Sequence, residues 1–401
     1  MRKFSVFLAM SLLVCCPVWS QDDEEEFPEE EPSGSPEEPR GIIINGLEYF
    51  FSSEKGWAYL RCNNSWDGEL VIPAEVEHDG VTYTVEGMSW KSFRDCQTLT
   101  KVTIPRTIVS FFRLGSWEDY TPHWVPFVGC TALESIEVDA DNPRFSSADG
   151  VMFTKDKADL VCYPAGSRRK TYTVQNGVKR IFEDAFANNP YLVSVTFPNT
   201  VNNIYPCFRD CNALESVNLP KGQEMKHLLP YLFSGCTSLK KIEIPTSVTT
   251  VHDFVFENCS SLTTVELPYS VTQLGHHVFL GCASLKSLVI RGYMEEAADR
   301  TVDQQRFGTI PEQVTIYCQP EQVETIQKYF KGTVLPLDEY QPEADAPTAI
   351  ESAIKDAPAN IPTYDLQGRR IGASLNDKGQ MINERMKKGV YIRDGRKMVV
   401  K

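Results

Sequence analysis

The sequence runs to 401 residues, 42% of them hydrophobic and 11% aromatic, with a formal net charge of −14. That apolar content suffices for a large buried core, and an acidic chain without a basic stripe excludes a nucleic-acid-binding surface. Residues 1–20 read as a cleaved secretory signal. Arg2 and Lys3 precede an almost wholly apolar run from Phe4 to Trp19, and Val18 and Ser20 precede Gln21. The run is shorter than the ~20 residues a spanning helix needs, so the mature chain is not expected to span a membrane. Cys15 and Cys16 keep lipidation open as the other reading, although neither Val14 nor Cys15 is the small residue that normally precedes a modified cysteine. Residues 21–40 hold ten acids, one arginine and four prolines. Such a stretch self-repels and has too little apolar surface to offset its ordering entropy, so it is expected to be a disordered acidic linker.

Residues 41–90 form the expected β-rich N-terminal cap, with LEYFF, WAYLRC, ELVIP and VTYTV as strands and turns at Asn45-Gly46 and Asp79-Gly80. From 91 to 335 the chain repeats itself. The segments FRDCQTLTKVTIP from Phe93, FVGCTALESIEV from Phe127 and FANNPYLVSVTFP from Phe186 share one template with those beginning at Phe208, Phe233, Phe256 and Phe279. The template is F-x-x-C-x-x-L-x-x-[VIL]-x-[IVLF], usually closed by proline, and the last four intervals are 22, 25, 23 and 23 residues. In LKKIEIP, Leu239, Ile242 and Ile244 are expected to point inward, the last two alternating with Lys241 and Glu243 as in a half-buried strand. The return path offers Val248, Val251, Val255 and Phe256 as inward residues. No single coil covers its own apolar edges, so stacked coils must share one elongated core, with their strands in a parallel ladder. The 59 residues between Phe127 and Phe186 exceed one coil; VMFT and DLVCY around KDKA predict a hairpin there. It either projects as a contact surface or closes a gap in the core. At the far end VTIYC is one more strand, and PEQVETIQKYF predicts a capping helix with Pro320 in its first turn and Val323, Ile326 and Phe330 on one face.

Little in the chain suggests bond-making chemistry. Cys96, Cys130, Cys211, Cys236, Cys259 and Cys282 share one repeat position, which Asn189 takes in the third copy of the template, and Cys207 falls on a core position. A column of this kind predicts unpaired buried thiols, since side chains in a ladder run parallel; a partly disulfide-bonded column is the other reading. No C-x-x-C pair occurs, and His276-His277 with Cys282 follows no usual metal spacing. His252 and His276 are expected at solvated positions. Neither a nucleophile elbow, a zincin helix nor a phosphate-binding glycine loop is found, so no enzyme, cofactor or metal is expected.

The outward strand positions are the candidate ligand-binding face. One row reads Lys101, Ser135, Ser194, Ser216, Lys241, Thr264 and Ser287, and the other Thr103, Glu137, Thr196, Asn218, Glu243, Glu266 and Val289. Such a hydroxyl-rich stripe suits hydrogen bonding to protein or glycan, and it equally suits plain solvent-facing sheet. Trp117, Tyr120, Trp124 and Tyr231 are candidate aromatic anchors.

The repeat F-x-x-C-x-x-L with its strand and proline, the variant NPRFSSADGVMFTKDKADLVCYPAG and the opening GELVIPAEVEHDGVTYTV resemble the BspA-type, or treponemal-type, leucine-rich repeat across roughly residues 45–340. The resemblance implies an α/β, mainly β fold: a right-handed leucine-rich-repeat solenoid presenting a concave sheet at the cell surface. It implies a binding or adhesion protein whose partner is a host or bacterial surface protein or a glycan. A structural surface-layer spacer, or a hydrolase with an unrecognised site, are the alternatives. After a linker at 336–347, PTYDLQGRRIG and MKKGVYIRDGRKMVVK in residues 348–401 resemble the C-terminal sorting tail of Bacteroidetes proteins exported by the type IX route. Without that resemblance the segment reads as a small β-unit.

Overall fold

The computed structural model describes residues 41–61, 65–89, 92–112, 125–294, 306–307 and 309–342, and the backbone of four short strands beyond them. The signal, the acidic linker, Trp117, Tyr120, Trp124, His123 and most of the tail lie outside the described residues. The chain divides into two units, Met1–Gly41 and Ile42–Lys401.

The repeat builds two ladders. On the front face Gly68–Val71, Leu99–Ile104 and Ser135–Val138 pair in parallel, then Thr171–Thr173, Ser194–Thr196 and Ser216–Asn218, then Thr264–Leu267, Ser287–Ile290, Thr315–Cys318 and Thr333–Pro336. Two-residue strands at His227–Leu228, Thr250–Val251 and Gln273–Leu274 form part of the return side. Between the two sides lies one apolar cluster. Phe93, Phe186, Phe208, Phe233 and Phe256 are wholly buried, as are Leu239, Val248, Val251 and Val255. Their rings form a column: Phe186, Phe208, Phe233, Phe256 and Phe279 stack at centroid spacings of 5.1, 5.5, 5.6 and 5.7 Å, every pair within 18° of parallel. Coils of similar length bring like residues into contact, so each ring covers the next.

The hairpin of Val151–Thr154 and Asp159–Cys162 is antiparallel, and it is buried rather than projecting. Val151, Met152, Phe153, Leu160 and Val161 are all within 1% of complete burial. Asp159–Cys162 pairs in parallel with Arg180–Ile181, which makes it a rung of the return side. Tyr163, 23 residues before Phe186, packs against that ring at 5.2 Å, tilted by 31°, and so stands where the template places phenylalanine.

Two other sequence expectations differ from what is seen. The alternation at Lys241–Ile244 persists, with Ile242 and Ile244 buried and Lys241 and Glu243 exposed, yet residues 241–244 form no strand. Among the described residues they make no backbone–backbone hydrogen bond; Lys240 N, donating to Glu215 O at 3.2 Å, is the last such link before them. Side-chain burial holds this coil in place where ladder pairing does not. The capping helix is short: one 3-10 turn at Pro320–Gln322 and an α-helix at Val323–Gln327, with Ile326 and Phe330 buried. A further strand, Thr333–Pro336, then returns to the front ladder.

Ile42–Ile44, Leu47–Ser52, Trp57–Arg61, Val81–Ser89 and Glu75–His78 form a sheet before the repeats. Val81–Ser89 also pairs with Ser110–Phe112, while Gly68–Val71 pairs with the front ladder instead. In the tail, Arg370–Ile371, Thr363–Tyr364, Gly389–Arg393 and Arg396–Val400 make an antiparallel sheet in that order.

The residue before each cysteine of the repeat column, or before Asn189 in its place, is constrained by backbone conformation. Asp95, Gly129, Asn188, Asp210, Gly235, Asn258 and Gly281 all have φ between 57° and 77°. Glycine tolerates this left-handed region without cost, and Asp and Asn enter it more readily than other residues. A Cβ on Gly235 would also run into the Asp210 carboxylate of the preceding coil, so the glycines leave room for their neighbours' side chains.

Candidate functional site

Strand register places the candidate residues in two rows on one face. Lys101 pairs with Ser135 and Thr103 with Glu137; Ser194 with Ser216 and Thr196 with Asn218; Thr264 with Ser287. The intervening Val102, Ile136, Val195, Val217, Val265 and Leu288 are buried, so the alternation of a pleated strand turns the candidates outward. The face is not continuous. The Asp149-Gly150 turn lies against Ser135, with Ile136 N donating to Gly150 O at 2.9 Å, and it separates the first block from the second. The unpaired stretch containing Lys241 and Glu243 separates the second from the third.

The three blocks differ chemically. In the first, Ser135 Oγ donates to Glu137 Oε1 at 2.9 Å. In the last, Glu266 is committed within the molecule. Arg291 Nε and Nη2 donate to its Oε2 at 3.0 and 2.7 Å, and Tyr340 OH donates to its Oε1 at 3.3 Å. Tyr340 packs against Tyr317 with ring centroids 5.0 Å apart, and burial, with Glu266 beside it, pushes its phenol up to about 12. Val289, expected to face outward after Glu266, is instead wholly buried, so the outward row ends at Glu266. The segment leaving the last rung therefore folds back over the end of the front face, which a reading of strands one by one could not anticipate. Glu243 is paired with Lys221 at 3.1 Å, an exposed ion pair of little energetic weight.

The middle block is Thr171, Thr173, Ser194, Thr196, Ser216 and Asn218, without a formal charge. Asn218 Nδ2 donates to Thr196 Oγ1 at 3.2 Å. Thr171 and Thr173, the exposed start of this block, were missed because KTYTV does not fit the repeat template. The signal available was its polar-apolar alternation. Beside the block, Arg168 and Lys170 lie over the ring of Tyr191 at 5.5 and 5.8 Å.

The cysteine column has a structural job. Cys130, Cys211, Cys236, Cys259 and Cys282 each donate Sγ–H to the carbonyl of the template phenylalanine one coil earlier, at 2.9 to 3.2 Å. Cys96 donates to Trp66 O at 3.3 Å, and Asn189 Nδ2 replaces the thiol by donating to Pro164 O at 3.4 Å. Cys207 is buried in the core as well. Each thiol of the column is turned to a carbonyl, and the nine described cysteines are all buried and form no disulfide. Burial pushes Cys211 and Cys282 up to about 12, the opposite of what an activated nucleophile needs. These nine thiols are expected to react with Ellman's reagent only after denaturation in guanidinium chloride. A rapid native reaction mapped to Cys236 by mass spectrometry would contradict the packing described.

His252 and His276 are partly buried rather than solvated. His252 Nε2 lies 3.4 Å from His227 Nδ1, and burial lowers the pKa of both rings. Tyr231, Phe254 and His277 stack face to face at 4.8 and 5.0 Å, so the ring of Tyr231 is engaged in the column. Among the described residues no group of three or more His, Cys, Asp or Glu could hold a metal ion, and no helix is long and apolar enough to cross a membrane.

Residues 165–286 match the family described as the BspA type leucine rich repeat region, in six copies. No curated protein matches the chain. Among solved structures, it is similar to a leucine rich cell surface protein from Faecalibacterium prausnitzii, at 19% identity over 68% of this chain and 98% of that one, TM-score 0.38. The pneumococcal vaccine antigen PcpA gives 16% identity over 74% and 98%, TM-score 0.38. A leucine-rich repeat protein from Bacteroides ovatus gives 20% over 73% and 66%, TM-score 0.40.

Proposed function

We propose that this chain, built on BspA-type leucine-rich repeats over residues 165–286, is an exported surface protein that binds a protein or glycan partner on the middle block of its front face. One observation carries the reading. Thr171, Thr173, Ser194, Thr196, Ser216 and Asn218 present two registered rows of hydroxyl and amide groups, while the end of the same face is covered by its own Tyr340 and Arg291. Uncharged donors and acceptors at strand spacing suit a partner that offers hydroxyls or backbone amides, and the rigid ladder fixes them before binding. Export is supported by the leader-like Phe4–Trp19 run and surface sorting by the resemblance of the tail. Binding rather than catalysis is part of the proposal.

The test is a screen of the full chain against glycan and extracellular-matrix arrays, followed by Thr196→Arg with Asn218→Arg. Both substitutions fall on outward positions, so stability should change by less than about 1 kcal/mol. Affinity for any partner found should fall at least tenfold, whereas Lys331→Ala, at an exposed ion pair near the far end, should leave it unchanged. A partner that binds both variants equally would rule out the middle block. Full surface display with no partner in the arrays or in cross-linking on cells would favour a spacer.

A further inference from the structure

The N-terminal end of the molecule carries a second surface, separate from the front rows. A groove with a cavity volume of about 380 Å³ opens between the Ile44–Leu47 turn, the strand Gly68–Val71 and the strand Glu75–His78. Its floor is apolar: Leu47, Tyr49, Leu70 and Val76 are all at least nine-tenths buried. Its rim is acidic, with Glu75 and Glu77 exposed.

One side of the groove is a strand edge. Gly68–Val71 is the first rung of the front ladder and, among the described residues, pairs only with Leu99–Ile104. Gly68 N donates to Thr98 O and Ile72 N to Thr103 O, both at 3.0 Å. Hydrogen-bonding phase along a strand alternates, so Glu69 and Val71 turn their N–H and C=O away from that neighbour. The Glu69 carbonyl accepts from Trp66 Nε1 at 3.2 Å, but among the described residues no strand lies beside Val71, which is 71% exposed. Proteins usually blunt such an edge with proline, charge or a covering element. The last block of the front face does so: Thr333–Pro336 closes in proline and packs on the helix Val323–Gln327.

We propose that this edge is a strand-addition site for an extended segment of a partner protein in which basic and apolar residues alternate. Its backbone would pair with Val71, its apolar side chains would enter the groove over Leu70 and Val76, and its lysines or arginines would meet Glu75 and Glu77. Main-chain pairing supplies affinity in this mode, and the alternate side chains supply selectivity.

The acidic chain attracts any cationic peptide, so the test must separate pairing from adsorption. Fluorescein-labelled (Lys-Val)3, (Glu-Val)3 and a proline-interrupted peptide of the same positive charge are titrated against the full chain by anisotropy. The (Lys-Val)3 peptide is expected to bind at least tenfold more tightly than either of the others. Val71→Pro removes the outward N–H without breaking a bond to Leu99–Ile104, because proline is tolerated on an edge. It should weaken (Lys-Val)3 about tenfold with an unchanged melting temperature. Glu75→Lys with Glu77→Lys should shift the preference toward (Glu-Val)3. Equal binding of the interrupted peptide, or undiminished binding by Val71→Pro at unchanged stability, would overturn strand addition.

Discussion

Phe233→Ala should cost about 3–5 kcal/mol of stability, the range for deleting a fully buried aromatic ring. Phe233 has no exposed surface and stacks on Phe208 at 5.5 Å and 8°, and on Phe256 at 5.6 Å and 2°. Its loss opens a cavity and also removes ring contacts to both neighbouring coils. In a repeat array stability is a sum over coils and the interfaces between them, so damage at one coil weakens the coupling on both sides. Urea unfolding followed by far-UV circular dichroism should show a lower midpoint and a shallower or split transition. Phe233→Leu, which keeps most of the volume, should lose much less and unfold in one step. An alanine variant with the midpoint of the parent would show that the column is not a principal source of stability.

Asn142→Ala should be comparably damaging, by roughly 3–5 kcal/mol, for a different reason. Asn142 is wholly buried and its amide makes four hydrogen bonds. Nδ2 donates to Pro105 O and Ile108 O at 2.9 and 2.8 Å, and Oδ1 accepts from the backbone N–H of Arg144 and Phe145, both at 2.9 Å. Alanine leaves two carbonyls and two N–H groups without those partners, and a buried group left unpaired costs about 1–3 kcal/mol. The loss should be visible locally, as faster hydrogen exchange at the Arg144 and Phe145 amides. Asn142→Asp keeps the acceptor but sets a buried carboxylate against the Pro105 and Ile108 carbonyls, and should be at least as damaging as alanine. Parent-like exchange at both amides in the alanine variant would mean that water or backbone rearrangement replaces the side chain.

Asn142 also shows where the sequence was hard to read. It falls in NPRF, between recognisable copies, and nothing in its neighbourhood marks it as a bridge to residues 105 and 108. Tyr163 was hidden in the same way: it continues the phenylalanine column, but DLVCYPAG lacks the template's cysteine and leucine. The Asp, Asn or Gly before each cysteine could have been read from the copies themselves. The left-handed φ of those positions explains the restriction.

The sequence by itself determined the coil, its inward residues and the outward rows, because burial must recur wherever equivalent positions of neighbouring coils stack. Lys101, Ser135, Ser194 and Thr264 were legible as outward for the same reason that Val102, Ile136, Val195 and Val265 were legible as buried. Tertiary structure alone decided which outward positions are open. Glu266 looked like any other strand carboxylate until Tyr340, 74 residues away, was brought onto it beside Arg291. The edge at Val71 is likewise left open because, among the described residues, no strand lies on its outer side. Local pattern carries the period of the backbone, whereas occupancy of a surface depends on contacts between segments far apart in the chain, and these leave no periodic trace.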